Sequence, residues 1–198
     1  VAPTTATIAR VSADARWVFG YGSLLWRPDF PYLERAVAKL RGFRRRFWQG
    51  SPDHRGRPDA PGRVVTLVEE ADAHCWGAAY RVEPAAWNDV LVRLDERESG
   101  GFERVDVEVE LADASRRSAL VYVARAGNPN FLGPAPLGAI AAQVVAAAGR
   151  SGSNADYVVR LAAALRELGE RDEHVFELAD RVAAAASQRG SDPRGRAA

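Results

Sequence analysis

Val105-Asp106-Val107-Glu108-Val109-Glu110-Leu111 alternates apolar and acidic side chains without a break. Successive side chains of a strand point to opposite faces, so this run predicts a strand with Val105, Val107, Val109 and Leu111 on one face. Ala119-Leu120-Val121-Tyr122-Val123 follows as a second strong strand. Toward the N-terminus, β-branched and aromatic runs predict strands at 75–82 (CWGAAYRV) and 63–69 (RVVTLVE), with a less regular one at 36–48. Trp17-Val18-Phe19 reads as a short buried strand that ends in the turn Gly20-Tyr21-Gly22-Ser23. One helix interrupts the series. Pro84 suits its first turn, Trp87, Val90, Leu91 and Leu94 keep helical spacing, and Gly100-Gly101 stops it. Three more helices are predicted at about 136–148, 154–168 and 172–186. Gly149 and Gly169 would close the first two, and Ser153 with Asp156 resembles a capping box for the middle one. Strands first and helices later predict an α+β fold, a small barrel-like sheet packed by helices.

Composition bounds the function classes. A chain of 198 residues, 47% hydrophobic, is long enough for one well-buried domain, expected over residues 16–186. A loose arm is expected at 1–15 and a disordered tail at 187–198. Twenty-seven basic and 26 acidic residues nearly cancel, which argues against a broad electrostatic grip on nucleic acid or membrane. Arg44-Arg45-Arg46 beside Phe47 and Trp48 invites a single-strand-binding reading. On a strand, however, three consecutive arginines do not form one stripe. No run of about 18 apolar residues is present, and residues 1–15 lack a signal-peptide layout. With no methionine, the start is expected to be trimmed. Cys75 is the single cysteine and reads as a small buried hydrophobe, which points to a reducing, cytoplasmic setting. His54, His74 and His174 show no paired ligand spacing, so no metal site is expected. The expectation is a monomer with a small-molecule substrate, no nucleic acid, no membrane and no cofactor.

Two segments offer chemistry. In Val18-Phe19-Gly20-Tyr21-Gly22-Ser23-Leu24-Leu25-Trp26, glycines flank Tyr21 directly after a strand. The backbone there can approach a ligand closely, and the amides of Gly22, Ser23 and Leu24 can form an anion-binding concavity. The alternative is a simple strand-ending turn. It is not a P-loop or a dinucleotide fingerprint, for which the required Gly-Lys-Ser/Thr or third glycine is missing. In Asp95-Glu96-Arg97-Glu98-Ser99-Gly100-Gly101-Phe102, three carboxylates crowd the C-terminal turn of a predicted helix. The helix dipole disfavours acids there. One of them, with a raised pKa, would serve as a base; the alternative is a solvated helix end eased by Arg97. The loop holding Ser51, Asp53, His54 and Arg55 reads as structural or substrate-positioning, because adjacent residues rarely form a catalytic triad.

Together these segments resemble the ChaC-like family of glutathione-specific γ-glutamylcyclotransferases. The resemblance rests on WVFGYGSLLW at 17–26, RRFWQGSPDHRG at 45–56, PGRVVTLVE at 61–69, CWGAAYRV at 75–82, LDERESGGFER at 94–104 and NPNFLGPAPL at 128–137, in family order. It implies a small mixed β-barrel with surrounding helices. It also implies a glycine-rich loop, Gly20, Tyr21, Gly22, Ser23, Leu24 and Leu25, that holds the γ-glutamyl group. Glu98 is implied as the acid/base that turns glutathione into 5-oxoproline and cysteinylglycine without a cofactor. Leu25 stands where isoleucine is usual, and Phe102 where tyrosine is commoner. Arg55 is the residue expected to receive the glycine carboxylate of glutathione. Other γ-glutamyl substrates, or a non-catalytic regulatory role, are the alternatives.

Overall fold

The computed structural model describes residues 16–190. The arm expected at 1–15, and residues 191–198 of the expected tail, lie outside them. Five strands form a closed barrel in the order β1-β3-β2-β4-β5. They are β1 (Trp17–Gly20), β2 (Glu34–Ser51), β3 (Gly62–Arg81), β4 (Glu103–Leu111) and β5 (Arg116–Val123). β1 lies antiparallel to β3 and parallel to β5, the latter with Trp17 opposite Ala119. β4 runs antiparallel to both β2 and β5. The described residues also form four α-helices, α1 (Trp87–Arg97), α2 (Leu137–Ala146), α3 (Asn154–Glu167) and α4 (Glu173–Gly190). The α+β barrel expectation holds. Among the described residues, no helix is long and apolar enough to cross a membrane.

Two compact units are distinguished within the chain. One comprises the described residues up to Arg44 together with Glu69–Val123; the other comprises Arg45–Val68 and the described residues from Ala124 onward. The first has Val18, Phe19, Ala38, Leu40, Tyr80, Val109 and Val121 in its interior, with Val90 and Leu94 from α1. In β4, Val109 and Leu111 are buried and Val105 and Val107 half-buried, while Asp106 and Glu108 are exposed, as the alternation requires. The second unit buries Phe47, Leu67, Ile140, Val144, Leu161, Leu165 and Leu178, contributed by strand ends and by α2, α3 and α4 packing on one another.

The structure departs from the sequence expectations at a few places. The runs at 63–69 and 75–82 belong to one strand, β3, because Glu69–Asp72 continue the extended backbone as exposed residues. Polar composition there signals solvent and not a turn. α4 extends to Gly190, so the first residues of the expected tail are helical. Gly149 does not end α2, which stops at Ala146 when Ala147 turns extended. It lies in a two-residue strand, β6 (Ala148–Gly149), paired with β7 (Gly152–Ser153). A Cβ at Gly149 would lie 2.4 Å from the Asp53 carbonyl oxygen, so close backbone approach explains this glycine. Gly169, with φ +75°, does follow α3, and Ser153 Oγ accepts the Asp156 N–H at 3.1 Å as its N-cap.

Candidate active site

β1 is buried throughout and delivers the chain to Gly20, where it turns sharply. Ser23–Leu25 forms one 3-10 turn, in which the Leu25 N–H donates to the Gly22 carbonyl at 3.0 Å. The N–H groups that lead such a turn have no carbonyl behind them. Those of Gly22, Ser23 and Leu24 donate to no acceptor among the described residues. Three side chains fix the turn. Tyr21 Oη donates to the Tyr122 carbonyl at 2.7 Å, and Tyr80 Oη to the Leu24 carbonyl at 2.6 Å. Arg97 Nη2 donates to Ser23 Oγ at 2.8 Å. Gly20 is required by contact: a Cβ there would stand 2.7 Å from Leu24 Cβ. Leu24 and Leu25 themselves are buried beneath the turn.

Glu98 caps the C-terminus of α1, its N–H donating to the Leu94 carbonyl at 2.8 Å. Its side chain is 18% exposed, and Oε1 lies 3.5 Å from Arg97 Nε. Burial pushes the carboxyl up to about 7, against the opposing pull of the Arg97 guanidinium. The two neighbouring acids have other environments. Asp95 forms an ion pair with Arg104 and accepts the Tyr122 hydroxyl at 2.7 Å. The Arg104 contact holds Asp95 below the ordinary carboxylate range. Glu96 is exposed. The Glu98 carboxyl is thereby poised to exchange a proton near neutrality, and that of Asp95 is not. The arrangement can grip an anionic group with backbone amides and move a proton beside it.

The turn and Glu98 are legible in the sequence, where Arg97 stands only as relief for the helix end. Arg97 bridges the two. Tyr80 and Tyr122 were not named for this site. The available signal was a tyrosine inside an aliphatic strand, whose buried hydroxyl must find a partner.

Arg55 belongs to the other unit. It is 7% exposed, with Nη1 donating to the Ser153 carbonyl at 3.0 Å and lying 3.5 Å from Asp156 Oδ2. Its backbone N–H takes the Ser51 hydroxyl as acceptor, while His54 Nδ1 meets Ser151 Oγ, so Ser51 and His54 have different partners. The three consecutive arginines also part company. Arg44 pairs with Glu70, Arg45 is buried against Asp172, and Arg46 donates to the Arg45 carbonyl. Among the described residues, no three His, Cys, Asp or Glu side chains are grouped as a metal ion would need.

The fold is that of the γ-glutamylcyclotransferases. It matches the crystal structure of a glutathione-specific γ-glutamyl cyclotransferase from yeast with a TM-score of 0.79 and 28% identity, over 87% of this chain and 100% of that one. The ChaC-like protein family matches residues 16–185, and the chain belongs to that family. It is 45% identical over 175 residues to human glutathione-specific γ-glutamylcyclotransferase 1, covering 85% of this chain and 79% of the relative. It is 42% identical over 176 residues to γ-glutamylcyclotransferase 2-3 of Arabidopsis thaliana, covering 85% and 88%.

Proposed function

We propose that this chain is a cofactor-free γ-glutamylcyclotransferase that converts glutathione into 5-oxoproline and cysteinylglycine, with Glu98 as the acid/base. The observation that carries the reading is a carboxyl held near pH 7 and tied through Arg97 to a turn with open amides. A general base is most effective when its pKa lies near the working pH. The relatives' glutathione specificity selects the substrate.

In the reaction the α-amino nitrogen of the glutamyl group attacks its own γ-carbonyl carbon. A C–N bond closes the five-membered ring, and the bond to the cysteinyl nitrogen breaks. Nucleophile and electrophile belong to one molecule, and well-oriented intramolecular reactions reach effective molarities of about 10⁵–10⁸ M. The enzyme must bend the chain and move protons. Glu98 takes one proton from the α-ammonium before attack, the attacking nitrogen gives up a second as the lactam forms, and both pass to the cysteinyl nitrogen, which departs as an ammonium, so the proton count balances without a metal or a covalent nucleophile. The Gly22, Ser23 and Leu24 amides receive the α-carboxylate or the developing oxyanion, a type of contact worth about 3–4 kcal/mol. Gly20, Tyr21 and Leu25 hold that turn in shape.

Arg55 is the candidate receptor of the glycine carboxylate on residue type alone; its buried contacts with Ser153 and Asp156 favour a structural role. Comparing γ-Glu-Cys with glutathione for Arg55→Ala separates the two. A monomer in the cytoplasm, where glutathione is reduced, with no nucleic-acid or membrane partner, completes the reading.

Mass spectrometry of purified protein with glutathione and γ-Glu-Ala, without added metal or nucleotide, is the test. Expected are 5-oxoproline and cysteinylglycine from glutathione, and no turnover by Glu98→Gln. Full activity of Glu98→Gln would sink the assignment of the base. Turnover of γ-Glu-Ala alone would move the substrate class.

A further inference from the structure

The glycine turn and Glu98 come from distant parts of the chain, with Arg97 and Ser23 separated by 74 positions. One guanidinium joins them. Arg97 is 16% exposed, and its three nitrogens point in three directions. Nη2 reaches Ser23 Oγ at 2.8 Å in the turn. Nη1 donates to the Arg27 carbonyl at 2.7 Å and lies 3.2 Å from Asp29 Oδ2, in the loop beyond the turn. Nε faces Glu98 Oε1 at 3.5 Å. Asp29 is in the left-handed region, with φ 57°, and is held there by Arg27 at 2.6 Å as well as by Arg97. Left-handed backbone at a non-glycine residue persists when its surroundings enforce it.

We propose that Arg97 is a positioning residue, which sets the placement of the Glu98 carboxylate against the Gly22–Leu24 amides and steadies that carboxylate when ionised. The inference rests on the reading of Glu98 as the base. Arg97 itself is engaged by protein groups at every nitrogen, so it does not serve as a substrate receptor. The other charged and titratable groups near this end of α1 are committed elsewhere. Asp95 is held by Arg104 and by Tyr122 of β5, and Tyr80 of β3 donates to the turn and accepts from Arg35 at 3.3 Å. Asp29 stands on the far side of the guanidinium, paired with it. Without Arg97, burial acts on Glu98 unopposed and the carboxyl keeps its proton to higher pH. Lysine supplies a point charge but not the fork that reaches Ser23, Arg27 and Glu98 together.

The test uses Arg97→Gln and Arg97→Lys in the full chain, with kcat/KM for glutathione followed against pH. A ¹³C titration of the Glu98 carboxyl, assigned by its loss in Glu98→Gln, runs in parallel and needs no turnover. An opposite charge this close moves a carboxyl by about 1–3 pH units. In Arg97→Gln, both the acid limb and the carbon titration are therefore expected to rise by at least about one unit. That change lowers the ionised fraction at pH 7 from about half to about one-tenth, a loss of about fivefold before any misplacement adds to it. In Arg97→Lys the limb returns toward wild type while kcat/KM stays depressed. A folded Arg97→Gln with both titrations unmoved overturns the proposal, as does Arg97→Lys with wild-type rate and limb. If wild type is inactive on glutathione but the carbon titration still rises in Arg97→Gln, the coupling of Arg97 to Glu98 is supported and the substrate reading alone falls.

Discussion

Replacing Glu98 by glutamine should remove activity and make the protein more stable, and the size of the gain follows from the site. The carboxyl sits at about 7, against 4.5 for an ordinary glutamate, so the native state holds its proton more tightly than the unfolded chain does. Stability from this group is therefore fully present below about pH 4.5 and is lost as pH rises through about 7. A gap of about 2.5 pH units at about 1.36 kcal/mol each amounts to about 3 kcal/mol at pH 8. With the side chain only 18% exposed, solvent screening removes little of it. Glutamine keeps the shape of the protonated acid, an oxygen toward Arg97 and a donor on the other side, without the buried charge. Glu98→Gln should then exceed wild type by about 2–3 kcal/mol at pH 8 and match it at pH 4. For a chain of this length that is a rise in Tm of about 4–12 °C. Urea unfolding of both proteins from pH 4 to 8 reads the difference directly. A variant equal to or less stable than wild type at pH 8 would refute the desolvation of Glu98, and with it the physical basis for a base near neutrality.

Other perturbations test the surroundings. Gly20→Ala drives a methyl to 2.7 Å from Leu24 Cβ, an overpacking that costs about 1–3 kcal/mol. A large drop in kcat/KM in a still-folded protein is expected, and wild-type kinetics would show that the turn need not keep its shape. His174 is pulled down to about 4, chiefly by burial and then by Arg46, while its Nε2 accepts the Phe47 N–H at 3.2 Å. Its contribution is present above about pH 6.5 and lost as pH falls through about 4. His174→Gln retains an acceptor but cannot titrate. The stability difference between wild type and this variant should therefore shift by about 2–3 kcal/mol across that window in urea titrations. A constant difference would place the acid sensitivity elsewhere.

Legibility followed how local the determining physics is. The strict alternation of 105–111 and the Ser153 cap each depend on a few neighbouring residues, and both read correctly. Glu69–Asp72 defeated the reading of β3 because a strand exposed on both faces has no apolar pattern to detect. Gly149 looks like a helix stop in its local sequence because its actual constraint, the Asp53 carbonyl, lies almost a hundred positions away. In the site, the turn and the overcrowded helix end were visible as local oddities. Their connection through Arg97, and the tyrosines that tie the turn down, depend on pairs separated by 56 to 101 positions.

Three acids stand at the end of α1, where a helix favours them least, and the proposed function uses one of them, Glu98. The last turn of a helix disfavours carboxylates by about 0.3–1 kcal/mol each, yet Asp95, Glu96 and Glu98 all stand there. The structure separates them by surroundings and not by distance from the dipole. Asp95 recovers its loss through Arg104 and Tyr122, and exposure leaves Glu96 to water. Glu98 has neither remedy in full. It is desolvated, its ion-pair partner is 3.5 Å away, and that partner is shared with Ser23, Arg27 and Asp29. A closer, exclusive arginine would stabilise the ionised acid and drop its pKa, leaving a base too weak to take a proton from an ammonium group. Full burial without an arginine would leave it protonated at neutral pH and unable to accept one. The loose, shared contact with Arg97 keeps Glu98 between those limits, which is where one carboxyl can take a proton and then return it.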